Sequence, residues 1–376
     1  MEEKESSNSS KGQTIFLTVI LFLSLIILCA GMHLRHDPTN TDLWVHLTAG
    51  KWIYEHKEIP EYDVFTYTQQ GQEWSMHEWL YQIILYLLYL KIGMTGLLVT
   101  NVILIMISLS LIFYYLKKKF YLAVAITILT SYLVLISSTI RPHVVSWIFL
   151  LLTIIIIKKG KEWLLPFLIL IWGNIHPLHL VGLVIIGIYL GIKWAQTKEK
   201  RYMYIIGICG IAATINHSGI KTFLIPFIIT FSHINEWQPF SPAGQYFWIY
   251  TGVVAVAICL FTRKSIFDKE YPYADALVCL TLIILGYISR RHVAQFFIIG
   301  IPLLIVNLNS KLEYDFLKTR TKKRDIIWVL LIIILILFNN YDMTTFNTTY
   351  DWNILPSYEV QLIQEYNIKG NVFNNY

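Results

Sequence analysis

The stretch from Asp42 to Leu80, DLWVHLTAGKWIYEHKEIPEYDVFTYTQQGQEWSMHEWL, decides the fold because it is the longest polar interruption between apolar runs. It follows TIFLTVILFLSLIILCAGM at residues 14–32, and further apolar runs continue to residue 338. An apolar run of about 20 residues is long enough to cross a bilayer. The stretch is therefore predicted to be a large loop between membrane-spanning helices, and its many Trp, His, Asp and Glu residues need a reason.

The composition places the whole chain in the membrane class. Of its 376 residues, 56% are hydrophobic and 14% are charged, whereas a soluble domain carries about 25% charged residues. The net charge of +6 comes from Lys and Arg residues that cluster in short loops, which indicates an orientation signal and not a surface for nucleic acid. The four cysteines all lie within apolar runs, so they are interpreted as small hydrophobic residues.

The basic loops set the orientation of the chain, because loops rich in Lys and Arg stay on the cytoplasmic side. Several apolar runs are shorter than a full span, which suggests half-helices around a cavity. With the basic loops inside, the loops between them lie outside. The expected fold class is an all-α polytopic membrane protein with a cytoplasmic tail at 1–13, a transmembrane domain at 14–338, a first outer loop at 33–77, and an extracytoplasmic stretch at 339–376.

The outer face of this topology carries side chains that can act as acids, bases or ligands, whereas the inner face carries mainly Lys and Arg. All eleven histidines fall on the outer side, from His33 to His292, and this asymmetry predicts a working site there. Residues 78–116 are harder to place. They contain two apolar pieces, one on either side of KIGMTG at 91–96, but the predicted topology allows them only one net crossing of the membrane. The first piece, 79–90, is predicted to lie shallow or in the membrane plane.

The first outer loop is predicted to open with a helix. Asn40 or Thr41 can cap a helix that begins near Asp42, and Asp42 and His46, four residues apart, then share one helical face. A simpler interpretation exists for each residue. An Asp in a first helical turn often only complements the helix dipole, and a His at the membrane interface often only forms hydrogen bonds.

The second half of the loop is predicted to form a hairpin before the next helix. Alternating residues stand on either side of a turn at Gly71. Ser75 and Glu78 have the spacing of a capping box, which gives Glu78 a purely structural interpretation. Trp44 and Trp74 are residues typical of a membrane interface as well as of a sugar-binding surface.

The stretch also resembles the first extracytoplasmic loop of a bacterial multi-pass family, whose members read roughly D-L-W-x-H-L-x-x-G-x-W-I, P-x-x-D-x-F-S/T-Y-T and G-x-x-W-x-x-H-E-W-L. That family is usually grouped with the GT-C superfamily of polyprenyl-phosphate-sugar-dependent membrane glycosyltransferases. Asn216-His217 departs from the Asn-Pro of many relatives, and the tail resembles the start of a soluble domain that relatives continue, so a truncated form is expected. Further matches follow in order: RPHVVSW (141–147), WGNIHPLHLVGL (172–183), INHSG (215–219), INEWQPFSP (234–242) and RRHVAQFFIIGIPLL (290–304).

The resemblance implies a GT-C-like helix bundle that transfers a sugar from a polyprenyl-phosphate donor to an acceptor hydroxyl with inversion. It implies Asp42 as the base that accepts the hydroxyl proton, with Glu78 as the second candidate. Arg141, Arg290 and Arg291 are the expected ligands of the donor phosphate, although arginines at helix ends also snorkel to lipid head groups. The expected lining residues are His46, His77, His143, His176, His217, His292, Trp44, Trp74 and Trp237.

The expected partners are the lipid bilayer, a polyprenyl-phosphate-linked sugar, and a glycan, lipid or protein acceptor, at a bacterial cytoplasmic (inner) membrane with the N-terminus in the cytoplasm. No nucleic acid is expected. No cofactor is assigned, and a divalent metal stays open, because His, Asp and Glu are plentiful but a spacing such as H-E-x-x-H does not occur. Two alternatives stay open: a transporter or flippase of lipid-linked glycans, which the one-sided charges disfavour, and a non-catalytic binding protein for them.

Overall fold

The computed structural model describes residues 41–137, 139–224 and 272–307, with shorter pieces at 16, 18–27, 29, 238–239, 241–242, 250–255, 258, 357–367 and 369. These parts are mostly helical, and they contain no regular strand. The all-α character predicted from the sequence is thus confirmed for the described residues. Trp237 and most of the stretch at 339–376 lie outside them.

The helices are numbered in chain order, and short 3₁₀ turns at Glu162–Leu164, Gly219–Phe223 and Arg290–His292 connect some of them. They are α1 (Thr18–Ile27), α2 (Thr41–His56), α3 (Trp79–Leu116), α4 (Phe120–Ser137), α5 (Pro142–Lys158), α6 (Leu165–Trp172), α7 (His179–Thr197), α8 (Arg201–Thr214), α9 (Tyr273–Ile288), α10 (Val293–Gln295, a π-helical turn Phe296–Gly300, and Ile301–Asn307) and α11 (Ser357–Glu365).

One apolar core joins most of these helices, including α1, α3, α5, α7, α9 and α10. Trp147 on α5 and Trp172 at the end of α6 are among its largest fully buried side chains. The Trp172 ring stacks on Phe149, with 5.5 Å between ring centroids. Because apolar side chains line both faces of the contact, burial and dispersion hold α5 and α6 together here.

Helix α2 packs on the first half of α3 at very short range. Leu43 and Leu47 of α2 are buried against Tyr81 of α3. At Gly50 the two backbones nearly touch, since a Cβ atom there would lie 2.1 Å from the carbonyl oxygen of Gln82. The predicted helix near Asp42 is confirmed, because α2 begins at Thr41 and carries Asp42 in its first turn.

Helix α3 is broken at Gly93, whose φ of 64° and ψ of −169° are not helical. A glycine adopts this conformation at low cost because it has no Cβ atom. The break falls inside the KIGMTG segment, so the prediction of two separate apolar pieces is confirmed. The placement of the first piece in the plane of a membrane stays a prediction.

The loop between α2 and α3 forms a rudimentary hairpin. A single antiparallel bridge joins Tyr62 to Glu73 within the described loop, and Gly71 makes the turn with φ of 81°. The hairpin prediction is therefore right in outline, although strands do not form. The capping box is wrong: Glu78 itself precedes the first residue of α3 and makes no side-chain cap bond, while Ser75 Oγ lies 3.3 Å from Ser218 Oγ.

A polar network closes the end of the bundle where α5 and α7 finish and α9 starts. The buried carboxylate of Asp275 accepts hydrogen bonds from Lys158 Nζ at 2.6 Å, Tyr189 Oη at 2.5 Å and Asn307 Nδ2 at 2.7 Å. Lys193 pairs with Glu162 close by. We call this the lysine end. The N-termini of α5 and α7 lie at the opposite end, where the predicted site residues stand.

Two of the described helices, α3 and α7, are long and apolar enough to cross a membrane by length and composition. The buried core helix of a soluble protein passes the same test. Shorter apolar helices, including α5 and α9, accompany them. The number of crossings and the orientation inferred from the basic loops stay predictions.

The close contact at Gly50 makes a testable prediction about α2. We expect Gly50→Ala to destabilise the protein by about 1–3 kcal/mol, because the new methyl group meets the backbone of α3 and α2 must shift. The measurement is the thermal unfolding midpoint of purified protein in detergent. Gly187→Ala is the matched control, since a Cβ atom there meets open space. Equal midpoints for the two variants would contradict the close packing of α2 on α3.

Candidate functional site

Glu78 lies at the centre of three imidazole rings. Its side chain is 15% exposed, and it immediately precedes Trp79, the first residue of α3. Its Oε1 lies 3.5 Å from Nε2 of His176 and 3.9 Å from Nε2 of His77, and its Oε2 lies 3.8 Å from Nδ1 of His46. These rings come from α2, the loop before α3 and the turn between α6 and α7, so distant parts of the chain meet at one carboxyl group.

Asn174 holds the turn between α6 and α7 against the start of α3. Its carbonyl oxygen accepts the backbone N–H of Leu80 at 3.2 Å, and its Oδ1 accepts the indole N–H of Trp79 at 2.9 Å. Its Nδ2 donates to the carbonyl oxygen of Ile215 at 2.9 Å. The first N–H groups of a helix have no partner within the helix, so Asn174 supplies one from outside and brings His176 next to Glu78.

Asp42 and Arg141 form an ion pair at the edge of this cluster. Arg141 Nη2 donates to Asp42 Oδ2 at 2.9 Å. The Asp42 side chain is 42% exposed, so the carboxylate is accessible to a molecule from solvent. Since Arg141 directly precedes α5 and Asp42 stands in the first turn of α2, the pair ties α2 to the start of α5.

His176 belongs to a buried hydrogen-bond network that reaches into α5. Arg291 Nη2 lies 3.3 Å from His176 Nε2, and His176 Nδ1 lies 2.9 Å from Ser146 Oγ. The indole N–H of Trp172 also donates to Ser146 Oγ at 2.9 Å, and Ser146 Oγ donates to the carbonyl oxygen of Pro142 at 3.3 Å. The network fixes the orientation of the His176 ring.

His46 is held from the side of α3. Gln82 Nε2 lies 3.4 Å from His46 Nδ1, and the Tyr81 ring packs edge-on against the imidazole at 5.4 Å between centroids. His46 is buried. Its position follows from the packing of α2 on α3, because Asp42 and His46 share one helical face as the sequence predicts.

The electrostatics of the cluster favour neutral side chains. The pKa of Glu78 is raised to about 7, because burial and, less strongly, the charge of Asp42 raise it by more than Arg291 and Arg141 lower it. Burial, with Arg141, lowers the pKa of His46 to about 3. Burial, with Arg291, holds the pKa of His176 well below its usual range. The desolvation cost of a charge explains both directions, because it disfavours the ionised acid and the protonated base alike.

Arg290, the third arginine predicted to bind the donor phosphate, bonds to the 238–239 segment. Arg290 donates from Nε to the carbonyl oxygen of Pro239 at 3.3 Å and from its backbone N–H to that of Gln238 at 3.2 Å. Arg291, the next residue, faces His176 instead. The two adjacent arginines therefore have different neighbours among the described residues, and Arg141 with Arg291 are the two that border the Glu78 cluster.

The remaining predicted lining residues surround the cluster at various distances. His143 packs against Trp147 with 5.0 Å between ring centroids and lies near enough to His176 to lower the pKa of that ring. Burial, with Arg291, lowers the pKa of His292 to about 4. Trp44 packs on the Leu43 cluster, Trp74 packs against Phe65, and His217 is half-buried in the segment that contacts Ser75.

Three residues of the site were not identified from the sequence: Ser146, Gln82 and Asn174. Ser146 and Asn174 fall within the quoted RPHVVSW and WGNIHPLHLVGL segments, and that location is the only signal for them. Their roles depend on partners far along the chain, which spacing does not reveal. Asp63 was missed too. Burial acts to raise its pKa, but hydrogen bonds from Thr66 and Phe65 lower it, and these bonds organise the hairpin.

Within the described residues, no group of three or more His, Cys, Asp or Glu side chains is arranged to hold a metal ion. Comparison with family models, with curated proteins and with solved structures returns no match to the chain.

The network around Ser146 generates a prediction. Ser146→Ala removes one partner of the His176 imidazole and leaves the indole N–H of Trp172 without its buried partner, and an orphaned buried group costs about 1–3 kcal/mol. We expect a loss of at least about 2 kcal/mol in the free energy of unfolding, measured by denaturation in detergent. Ser108→Ala is the control, because Ser108 is also buried and, among the residues that the structure describes, bonds to the Leu104 carbonyl of its own helix. A small, equal effect of both changes would contradict the network.

Proposed function

We propose that the chain is a polytopic membrane glycosyltransferase with a GT-C-like helix bundle, which transfers a sugar from a polyprenyl-phosphate donor to an acceptor on the extracytoplasmic face of a bacterial membrane. The observation that carries the proposal is the meeting of two carboxyl groups and two guanidinium groups, Asp42, Glu78, Arg141 and Arg291, beside three histidines at one end of an apolar bundle. Inverting transfer from a phosphate needs both kinds of group.

The exposed surface of the bundle supports a membrane environment. Helix α3 carries Val99, Ile103 and Ile107 on its outside, each at least 40% exposed, and α9 carries Leu280 and Ile284 in the same way. These residues recur every four positions, which gives each helix an exposed apolar stripe. Contiguous exposed apolar surface is unusual for a monomer in water and suits contact with lipid.

Asp42 is the proposed base. Its carboxylate accepts the proton of the acceptor hydroxyl as the hydroxyl oxygen attacks C1 of the sugar, and the bond from C1 to the phosphate oxygen breaks. The bonding electrons leave with the phosphate. Arg141 supports this role because its guanidinium holds the Asp42 carboxylate at 2.9 Å while leaving it accessible. A base within hydrogen-bond reach contributes about 10²–10⁴-fold to the rate.

Arg291 is the proposed principal ligand of the departing phosphate, since fixed cations stabilise charge that grows during the reaction. It stands beside His176 at the Glu78 end of the bundle. Arg290, bonded to the 238–239 segment, is proposed to position that segment and to contribute charge. Arg141 is proposed to serve both steps, because it orients the Asp42 base and adds a second positive charge near the departing phosphate.

The distribution of charge argues against a transport function. A path for a charged glycan predicts charged side chains along the membrane-crossing helices. In α5, α7 and α9 the Lys and Asp side chains stand near helix ends, at Lys158, Lys193 and Asp275. The residues between them are apolar or small and polar, which suits a bundle that supports a site at one end.

The test is sugar transfer by purified full chain in lipid, incubated with a panel of radiolabelled polyprenyl-phosphate sugars. We expect Asp42→Asn to lower transfer or sugar release by about 10²–10⁴-fold, because the amide keeps the shape of the side chain but cannot accept the proton. Glu55→Gln changes an exposed acid on the same helix, which pairs with Lys51 at 3.8 Å; this variant is the control and should retain activity.

Each outcome of this assay is decisive. Transfer that collapses in Asp42→Asn and survives in Glu55→Gln supports the proposed base. Donor binding without turnover in wild type indicates a non-catalytic binding protein. If no donor of the panel binds, the glycosyltransferase proposal is wrong.

A further inference from the structure

A cavity of about 290 Å³ opens at the lysine end, between the ends of α5 and α7 and the start of α9. Sites for small ligands occupy about 300–1,000 Å³, so this cavity suits a headgroup and not a whole glycan. We propose that it binds the phosphate group of an anionic phospholipid through the ammonium groups of Lys158 and Lys193. Neither the cavity nor its charge depends on sugar transfer at the Glu78 cluster.

The fold brings the two ammonium groups to one part of the cavity wall. Lys193 Nζ on α7 donates to the carbonyl oxygen of Ile157 at 3.3 Å, and Lys158 is the next residue of α5. The side chains of Lys158 and Lys193 are 37% and 32% exposed, so part of each is accessible to a bound molecule. Two cations on separate helices can bind different oxygens of one phosphate group.

Each ammonium group retains a donor for an anion. An ammonium has three N–H groups. Within the part of the chain that the structure describes, Lys158 donates one of them, to Asp275, and Lys193 donates two, to Ile157 and Glu162. The remaining N–H groups can bond to phosphate oxygens while the existing bonds stay in place.

The carboxylates beside the cavity are already compensated. Asp275 Oδ1 accepts hydrogen bonds from Lys158 and Tyr189, and Oδ2 accepts one from Asn307. The side chains of Asp275 and Glu162 are only 3% and 7% exposed. A phosphate in the cavity therefore meets accessible ammonium groups and not an accessible carboxylate.

The chain around the cavity carries more cations than anions. The basic segment KKGK at 158–161 ends α5, and KEKR at 198–201 joins α7 to α8. The one acid of these two segments, Glu199, pairs with Arg201 at 2.7 Å. Basic pockets between membrane helices bind anionic headgroups. These basic loops also set the predicted cytoplasmic side, where the surface of the membrane is negative.

Aromatic rings with cations over them indicate that this end lies at the level of the headgroups. Lys117 and Lys159 stand 4.1 Å and 5.0 Å from the ring centroid of Tyr114, and Lys198 stands 5.4 Å from that of Trp194. Tyr114 and Trp194 are 39% and 40% exposed. Trp and Tyr collect at the interface between hydrocarbon and water, where lysine side chains reach towards the headgroups. A phosphate can enter the cavity there while its acyl chains lie along the helices.

The ligand is tested by native mass spectrometry of the purified full chain. The probes are dioleoyl phosphatidylglycerol, which is anionic, and dioleoyl phosphatidylcholine, which has the same acyl chains and no net charge. We expect a dissociation constant at least about fivefold lower for phosphatidylglycerol, because one net charge faces the cations. Glycerol phosphate, which has no acyl chains, should bind more weakly than phosphatidylglycerol. Equal binding of the two lipids would overturn the proposal, and so would glycerol phosphate that binds as tightly as phosphatidylglycerol.

The position of the lipid is tested at Gln196, an exposed residue of the cavity wall whose substitution leaves both lysine ion pairs intact. Gln196→Lys should strengthen the binding of phosphatidylglycerol about fivefold, and Gln196→Glu should weaken it about fivefold. Gln70→Glu adds the same negative charge on the loop between α2 and α3 and is the matched control, with unchanged affinity expected. If the two Gln196 variants bind phosphatidylglycerol as wild type does, the lipid does not occupy this cavity.

Lys193→Gln tests one of the two proposed ligands directly. We expect it to weaken the binding of phosphatidylglycerol by at least about fivefold. Because this change also leaves the buried Glu162 without its ion pair, the thermal unfolding midpoint is measured alongside. A folded Lys193→Gln with the affinity of wild type would contradict the role of Lys193, and the Gln196 variants give the answer if Lys193→Gln does not fold.

Discussion

The site depends on the hydrogen bonds that Asn174 makes with the start of α3. The carbonyl oxygen of Asn174, in the turn after α6, accepts the backbone N–H of Leu80, and its side chain bonds to Trp79 and Ile215. These bonds hold the turn that carries His176 against the start of α3, next to Glu78. Burial then shapes the chemistry, because the cost of desolvating a charge raises the pKa of Glu78 and lowers the pKa values of His46 and His176.

The second constraint is the close contact of α2 with α3 at Gly50. It places Asp42 and His46 on the same side of Glu78, and Arg141 then joins Asp42 to the start of α5. The break at Gly93 lets the first part of α3 follow α2 while the second part continues into the core. The predicted site residues thus gather at the Glu78 end of the bundle, and the Asp275 network joins α5, α7 and α9 at the lysine end.

The sequence predicted those features that depend on local spacing or composition. The helix at Asp42, the shared face with His46, the turn at Gly71 and the break inside KIGMTG follow from periodicity and glycine placement. The capping box failed because Ser75 and Glu78 have the right spacing but the helix starts at Trp79. The partners of Ser146 and the different neighbours of Arg290 and Arg291 depend on tertiary contacts, which no local pattern encodes.

The most direct test of the site is a structure of the full chain in lipid with a non-transferable analogue of a polyprenyl-phosphate sugar. We predict the phosphate within hydrogen-bond distance of Arg291, and C1 of the sugar facing Asp42. An analogue whose phosphate sits at the lysine end beside Lys158, or one that makes no contact with the Glu78 cluster, would contradict a donor site built around these residues.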